Sequence, residues 1–317
     1  MRVLVALLAL LAVVRADPVS HALADPVAPV AKKLIAISFD DAPRSPGAFM
    51  TPDERTAKLI ATMRDLNVPQ AAFYLNTARI SNGDGDVRRI ESYVSAGHVI
   101  ANHSATHKHL SRTSAATYLA DVDAAEAWLK GRAGYRPWFR YPFLDEGGED
   151  KAKRDAVRAG LKARGIRSAY CTVDGSDWNI ERLTVEARKA GKAIDMAALR
   201  DLYVETHVES ANFADALAVR ALGRSPVHVL LLHETDIAAL FLGDLVAALR
   251  ADGWEIVGND TAYADPVYDS MLDIPFANGT LVEMLAWDRK LTGPRWYERN
   301  DVKIGNALFA ERVLHGK

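Results

Sequence analysis

Residues that can bind a metal or transfer a proton follow several apolar segments of the sequence. Asp40 and Asp41 come directly after the apolar residues 34–39, and His103 and His107 follow residues 98–102. Three more apolar segments end in Arg140, in Asp174 with Asp177, and in His233. Carboxylate and imidazole groups together can hold a divalent cation and perform acid–base chemistry. The sequence therefore predicts a metal-dependent hydrolase.

The apolar segments alternate with segments of helical periodicity. Strands are predicted at 34–39, 70–75, 98–102, 138–141, 168–173, 228–232 and 254–257. Helices are predicted at 51–66, in the segment that ends at Gly97, and at 113–130, 149–164, 181–222 and 236–252. Regular strand-then-helix order predicts parallel strands with right-handed crossovers, and seven such units favour an incomplete α/β-barrel. The strand-to-helix loops of a barrel open on one face, so the polar residues should converge there.

Three of these residues are candidate metal ligands. Asp41 offers one oxygen and His103 and His107 offer two imidazoles, a set that suits zinc or a similar transition metal. The four-residue spacing places both rings on one side of a helical or turn-like segment. Three protein ligands leave coordination positions open for water, as in catalytic sites. His109 is an alternative ligand, although its spacing from His103 fits one helical face less well.

The remaining polar residues are candidates for proton transfer. Asp40 can accept the proton of an attacking water without ligating the metal, and Arg140 is predicted to hold Asp40 and to lower its pKa. His233 is placed to protonate a leaving amine, with Asp174 or Asp177 orienting its imidazole. Each residue also has a purely structural interpretation: a turn aspartate, an arginine in an ion pair at the barrel rim, and a hydrogen-bonded core histidine.

Composition restricts the class of protein. The chain has 317 residues, of which 49% are hydrophobic, so it can form a large core. Lys+Arg 39 against Asp+Glu 41 leaves the chain almost neutral. Since it has no basic stripe with interleaved aromatic residues, nucleic acid is not expected as a partner. The single cysteine, Cys171, excludes an internal disulfide and is predicted to be buried.

The N-terminus has the features of an export signal. Residues 1–16 combine an early basic residue, an apolar stretch and small residues, which predicts a signal peptide cleaved after Ala16, with Ala24 as a second cleavage position. A membrane anchor is the alternative, but the apolar stretch is short for a span of about 20 residues. Residues 17–33 are predicted to be an extended leader. The protein is therefore expected to be periplasmic or secreted, with no membrane span after cleavage.

Five motifs between residues 34 and 258 resemble those of the polysaccharide deacetylases, also called carbohydrate esterase family 4 or the NodB homology domain. They are Ser38-Phe39-Asp40-Asp41-Ala42-Pro43, His103-Ser104-Ala105-Thr106-His107, Arg140-Tyr141-Pro142-Phe143, Asp174-Gly175-Ser176-Asp177-Trp178 and Leu230-Leu231-Leu232-His233. The sequence departs from the family pattern at Ala42, Lys108, Phe143 and Glu234. These departures leave every proposed ligand and proton-transfer residue in place, so they bear on the shape of the substrate.

The resemblance implies a fold, a reaction and residue roles. The fold is a distorted (β/α)7 barrel over 34–258, which leaves 259–317 as a C-terminal extension packed on the barrel. The reaction is metal-dependent removal of N-acetyl groups from a sugar, with Zn²⁺ or Co²⁺ as the cofactor. The implied roles are Asp40 as base, Asp41, His103 and His107 as ligands, Arg140 as holder of the base, and His233 as acid tuned by Asp177. Trp178 would line the acetyl pocket, and a backbone amide near Phe143 would help to stabilise the oxyanion.

The expected substrate is an acetylated amino-sugar polymer or oligosaccharide of the bacterial envelope. Two alternatives stay open. The same barrel could hydrolyse O-acetyl esters or other amides, or it could be a non-catalytic barrel that binds glycans. A binding module needs neither Asp40 nor His233 as a proton-transfer residue, which favours an enzyme.

Overall fold

The computed structural model describes residues 32–81 and 85–316. The predicted signal peptide 1–16, both predicted cleavage positions and the leader up to residue 31 lie outside the described residues. The strands are β1 Lys33–Ala42, β2 Ala72–Leu75, β3 Val99–Asn102, β4 Tyr135–Phe139, β5 Asp145–Gly148, β6 Arg167–Ser168, β7 Val173–Asp174, β8 Val227–His233, β9 Trp254–Val257 and β10 Ala277–Asn278. The helices are α1 Pro52–Asp65, α2 Asp86–Ser95, α3 Ala115–Leu129, α4 Lys151–Ala163, α5 Asp177–Lys189, α6 Met196–Leu222, α7 Asp236–Ala251, α8 Asn259–Ala262, α9 Leu281–Asp288 and α10 Val302–Arg312.

A parallel sheet forms the centre of the protein. Its strands run in the order β6-β4-β3-β2-β1-β8-β7, and β9 also pairs with β1. Helices that connect successive strands cover the sheet, and the apolar residues between the two layers form the core. The predicted distorted (β/α)7 barrel is therefore confirmed.

Strand β1 is a central strand of the sheet. It pairs with β8 from Leu34↔Val227 to Asp40↔His233. On its other side it pairs first with β9 and then with β2. Residues 35–42 of β1 are buried on both faces of the sheet, which explains the continuous apolar segment in the sequence.

Helix α1 shows how local sequence fixes an element. The Thr51 hydroxyl accepts a hydrogen bond from the Glu54 amide, and the Glu54 carboxylate accepts one from the Thr51 amide. These reciprocal bonds form a capping box, which satisfies amides that the first helical turn leaves without partners. The helix begins and ends within one residue of the prediction.

The predicted fifth strand, 168–173, is wrong as a single element. It consists of two short strands, β6 and β7. Between them the Ala169 amide donates to the Phe139 carbonyl at 2.7 Å, and the Thr172 amide donates to the Val229 carbonyl at 3.0 Å. The chain thus crosses from β4 to β8, where the distorted barrel comes closest to closing. Apolar periodicity carries no signal for such a change of partner.

The predicted helical segment 181–222 is also two elements. Helix α5 begins at Asp177 and ends at Lys189, and Gly191 follows with a positive φ of 68°. The Asp195 side chain then accepts bonds from the first amides of α6. Glycine in the left-handed conformation ends a helix because it has no Cβ to clash with the backbone.

The C-terminal residues add elements to the barrel. Strand β10 pairs antiparallel with β5, a two-stranded sheet that the sequence did not predict. Helix α9 also lies in this C-terminal segment. Tyr297 is buried, whereas Trp287 and Trp296 are half exposed. Within residues 32–81 and 85–316, no helix combines the length and apolar character needed to cross a bilayer.

Candidate active site

The candidate residues meet at the carboxyl ends of the parallel strands. Arg140 follows β4, His103 follows β3, Asp40 lies near the end of β1, and His233 ends β8. The register of β1 and β8 pairs Asp40 with His233, and that of β3 and β4 pairs the residues just before His103 and Arg140. The strand order therefore places these four residues along one edge of the sheet, with β2 between the strands of His103 and Asp40.

Left-handed backbone conformations turn the ligands toward one another. Asp41 has φ 68°, Ser104 has φ 64° and His107 has φ 57°. Residues other than glycine rarely adopt these angles, which cost free energy and concentrate at functional sites. Because Asp41 leaves the extended conformation, its side chain and that of Asp40 both reach the same cavity. His103 and His107 lie in an irregular segment that bends at Ala105 and Thr106, so the helical interpretation is wrong and the turn-like one is the nearer description.

Asp41, His103 and His107 form a cluster of the size that a metal ion requires. Asp41 Oδ1 lies 3.0 Å from His107 Nε2 and 3.6 Å from His103 Nε2. All three ligand atoms lie within 4.8 Å of one another. Tetrahedral zinc with ligands at about 2.1 Å separates them by about 3.4 Å, so the three atoms fit such an ion. Oδ1 is buried and, apart from the nearby imidazole of His107, has no hydrogen-bond partner among the described residues, which leaves it available to a cation.

The surroundings keep the ligands in their binding forms. His103 Nδ1 lies 2.8 Å from the Arg140 carbonyl, which directs Nε2 at the cluster. Burial lowers the pKa of His103 to about 4, so its imidazole is neutral at neutral pH. Burial would raise the pKa of Asp41, but the hydrogen bond to His107 and the neighbouring imidazoles hold it well below its usual range.

His109 lies outside the cluster. Its Nδ1 is 3.3 Å from Asp145 Oδ2, and its ring stacks on Phe143 with 3.5 Å between the ring centres. Phe143 in turn lies against His107, with 4.3 Å between the ring centres. His109 therefore supports the wall of the site and is not placed as a ligand.

Asp40 lies beside the cluster on a rigid support. Its carboxylate is 2% exposed, and Arg140 Nη1 lies 3.3 Å from both of its oxygens. Arg140 also donates to the Tyr263 hydroxyl and lies over the ring of Tyr74. The Asp40 Oδ2 atom is 3.7 Å from His103 Nε2, so a free carboxylate is within reach of the cluster.

His233 is paired with Asp177. Its Nδ1 lies 2.7 Å from Asp177 Oδ1, and its amide donates to Asp177 Oδ2 at 2.7 Å. Burial would lower the pKa of His233, but the charge and hydrogen bond of Asp177 raise it to about 9. Asp174, the other predicted partner, instead accepts a bond from the Ser176 amide, and burial raises its pKa to about 6.

A cavity of about 520 Å³ joins these residues. Its lining comprises Asp40, Asp41, Arg44, His103, His107, Phe143, Leu144, Asp174, Trp178, Arg182, Leu231 and His233. Phe143 is 50% and Trp178 41% exposed, so both present aromatic surface to a ligand. Arg140 and Asp177 lie behind this surface.

Sequence reasoning missed two arginines at the site. Arg44 donates to Asp41 Oδ2 at 2.8 Å, and Arg182 lines the cavity. The position of Arg44, three residues after a candidate ligand, was the available signal. No comparable signal exists for Arg182, which reaches the cavity only because α5 begins at its rim.

Residues 28–164, which contain the first three motifs, match the family model described as polysaccharide deacetylase, and this confirms the resemblance for that part of the chain. A peptidoglycan-N-acetylglucosamine deacetylase of Bacillus cereus is 30% identical over 125 residues. That match covers 39% of this chain and 41% of the relative. The chain thus spans less than half the length of the curated relative.

Two solved structures have the same fold. A polysaccharide deacetylase from Bacillus cereus aligns with a TM-score of 0.50 at 16% identity, over 72% of this chain and 92% of that chain. A pseudoenzyme of carbohydrate esterase family 4 from Bacillus anthracis aligns with a TM-score of 0.50 at 18% identity, over 73% of this chain and 66% of that chain. At these identities the likeness shows the fold alone.

Proposed function

Because residues 28–164 match the polysaccharide deacetylases, we propose that this protein is a metal-dependent hydrolase that removes N-acetyl groups from an amino-sugar glycan. The proposal depends mainly on one observation. A metal-sized cluster, a carboxylate held by Arg140 and a histidine paired with Asp177 all meet in one cavity. The pseudoenzyme among the structural neighbours shows that the fold alone does not decide activity, so this proposal rests on these residues.

The proposed cofactor is zinc, with cobalt as a substitute, held by Asp41, His103 and His107. A bound divalent cation would polarise the acetyl carbonyl and lower the pKa of water. The same two imidazoles and one carboxylate suit this chemistry better than they suit magnesium or calcium, which prefer oxygen ligands.

The protein side chains supply the proton transfers. Asp40 takes the proton of the attacking water, and Arg140 holds its carboxylate in place. His233 then gives its proton to the amine nitrogen as the C–N bond breaks, with Asp177 fixing the orientation of its imidazole. Trp178 and Phe143 form the walls against which the acetyl group and the sugar rest.

The proposed location is the bacterial envelope, either periplasmic or secreted. The support is the signal-like sequence 1–16 and the peptidoglycan deacetylase among the relatives. We also propose that residues 34–258 are the catalytic barrel and that 259–317 are an extension. The pairing of β10 with β5, next to Phe143, supports a role of the extension in shaping the site.

Acetate release from a panel of acetylated glycans tests the function. The panel contains N-acetylated chitin and peptidoglycan fragments and an O-acetylated glycan, each assayed with zinc, cobalt and a chelator. We expect acetate from an N-acetylated glycan with metal and none with the chelator. Release only from the O-acetylated glycan would assign the ester alternative, and no release under any metal would favour a glycan-binding barrel.

The His233–Asp177 pair predicts the alkaline limit of activity. His233 must be protonated to act as an acid, so kcat/KM should fall as the pH rises through about 9. In Asp177→Asn the carboxylate that raises this pKa is gone, and the limit should move at least about one unit toward the ordinary value of histidine. A pH profile of acetate release measures the alkaline limit of the wild type and its shift in Asp177→Asn.

The chain offers a matched control for this experiment. His228 and Asp215 form another histidine–aspartate pair, with 3.2 Å between Nε2 and Oδ1. That pair does not line the candidate cavity. Asp215→Asn should therefore leave the alkaline limit in place. An unchanged limit in Asp177→Asn would remove His233 from the proton transfer.

A further inference from the structure

We propose that Arg44 and Arg79 form an anion-binding subsite beside the metal cluster, which recognises a carboxylate or phosphate on the glycan close to the acetylated sugar. The inference rests on the proposed deacetylase function and narrows its substrate to acidic glycans. Three observations support the inference: a second cavity, the charges around that cavity and the geometry of the two arginines.

A second cavity of about 520 Å³ adjoins the candidate active site. The two cavities share four lining residues, namely Asp41, Arg44, Trp178 and Arg182. The half-exposed ring of Trp178 lies between them. A glycan bound over the metal cluster can therefore extend past Trp178 into the second cavity.

Basic residues outnumber acidic ones around the second cavity. The basic residues are Arg44, Arg55, Arg79, Arg182 and Lys189, and the acidic ones are Asp41, Glu181 and Glu186. Some charges are already neutralised, since Arg55 pairs with Asp236 at 3.1 Å and Arg182 with Glu186 at 2.8 Å. Burial also raises the pKa of Glu181 to about 7, which reduces its negative charge at neutral pH.

Among the basic residues of this cavity, Arg44 and Arg79 are the two that lie within ion-pair distance of Asp41, next to the metal cluster. Arg44 Nη1 lies 2.8 Å and Arg79 Nη1 3.7 Å from the same oxygen, Asp41 Oδ2. One carboxylate cannot neutralise two guanidinium groups, and its other oxygen faces the histidines. The two arginine side chains are 31% and 43% exposed, so both can reach a ligand. The planar donor fork of arginine matches the oxygens of a carboxylate or phosphate.

Buried residues fix the position of Arg44. Its amide donates to Glu234 Oε2 at 2.9 Å, and its carbonyl accepts from Arg55 Nη2 at 2.6 Å. Glu234 is itself held by the Tyr93 hydroxyl at 2.9 Å. Glu234 is also one of the departures from the family motifs. A subsite that is ordered before the ligand arrives loses less entropy on binding.

Substrates that differ only in charge test the subsite. The probes are an oligosaccharide of alternating N-acetylglucosamine and glucuronate, its methyl ester, N-acetylchitohexaose and N-acetylchitohexaose 6-phosphate. Binding to the zinc-loaded protein is measured by calorimetry, and acetate release is measured in parallel. We expect the wild type to bind an anionic probe about fivefold or more tightly than its uncharged counterpart, and 0.5 M NaCl to reduce this preference.

Arg79→Gln should abolish most of this preference, because it removes the arginine that lies farther from Asp41 Oδ2. Arg88→Gln is the matched control. Arg88 is an exposed arginine paired with Asp53 and does not line either cavity, so its variant should keep the preference. A preference confined to the acid identifies a carboxylate as the ligand, and one confined to the phosphorylated probe identifies a phosphate.

Equal binding of the charged and uncharged probes by the wild type would overturn the subsite. The subsite would also be overturned if Arg79→Gln still bound the anionic probes more tightly than their uncharged counterparts. The calorimetric comparison stays valid if no acetate is released, so failure of the proposed function is distinguishable from failure of the subsite.

Discussion

Asp40→Asn should reduce acetate release by at least about 100-fold while zinc binding stays at the level of the wild type. General base catalysis contributes about 10²–10⁴ to a rate, and an amide cannot accept the proton. Asn keeps the size of the side chain, and Asp40 is not among the three residues of the metal cluster. Turnover numbers measure the loss of acetate release, and elemental analysis of the same preparations measures the zinc content.

Asp260→Asn provides the control for the loss of an aspartate–arginine pair. Asp260 pairs with Arg136 at 2.8 Å on the surface, away from the cavity, so its variant should keep full activity. Retained turnover in Asp40→Asn would exclude Asp40 as the base. Loss of zinc in that variant would show instead that Asp40 is a ligand.

His103→Ala should lower the affinity for zinc by more than about 100-fold and abolish activity at one equivalent of metal. Loss of a residue that only supports a ligand costs about 10–100-fold in metal affinity, and loss of a ligand should cost more. His103 is 2% exposed, and its Nε2 lies 3.6 Å from Asp41 Oδ1, so its loss removes a buried nitrogen ligand from the centre of the cluster. Competition with a chromogenic chelator measures the affinity.

His109→Ala is the matched control, because His109 lies two residues beyond His107 but faces Asp145. Its variant should retain zinc and lose at most the support of Phe143. Loss of zinc in His109→Ala together with full retention in His103→Ala would show that the predicted ligand set is wrong.

Much of the site could be predicted because its residues lie where strands end. The continuous apolar segment before Asp40 predicts a buried strand, and parallel strands bring their carboxyl ends to one edge. This reasoning placed His103, Arg140 and His233 near Asp40 without knowledge of the register. The observed pairing of Asp40 with His233 supplies the detail that periodicity cannot give.

The local backbone geometry of the site could not be predicted from the sequence. The left-handed conformations of Asp41, Ser104 and His107 are set by surrounding contacts, such as the bond from the His107 amide to the Ser104 hydroxyl. The choice of Asp177 over Asp174 depends on where α5 begins, which composition leaves open within a few residues. The break between β6 and β7 depends on which strands the chain meets in space.

The measurement that tests the account most directly is a crystal structure of the zinc-loaded protein with anomalous diffraction at the zinc edge. We expect one peak about 2.0–2.2 Å from Asp41 Oδ1, His103 Nε2 and His107 Nε2, with Asp40 nearby and not coordinated. A peak bound by other residues, or zinc ligated by Asp40 in place of Asp41, would contradict the account.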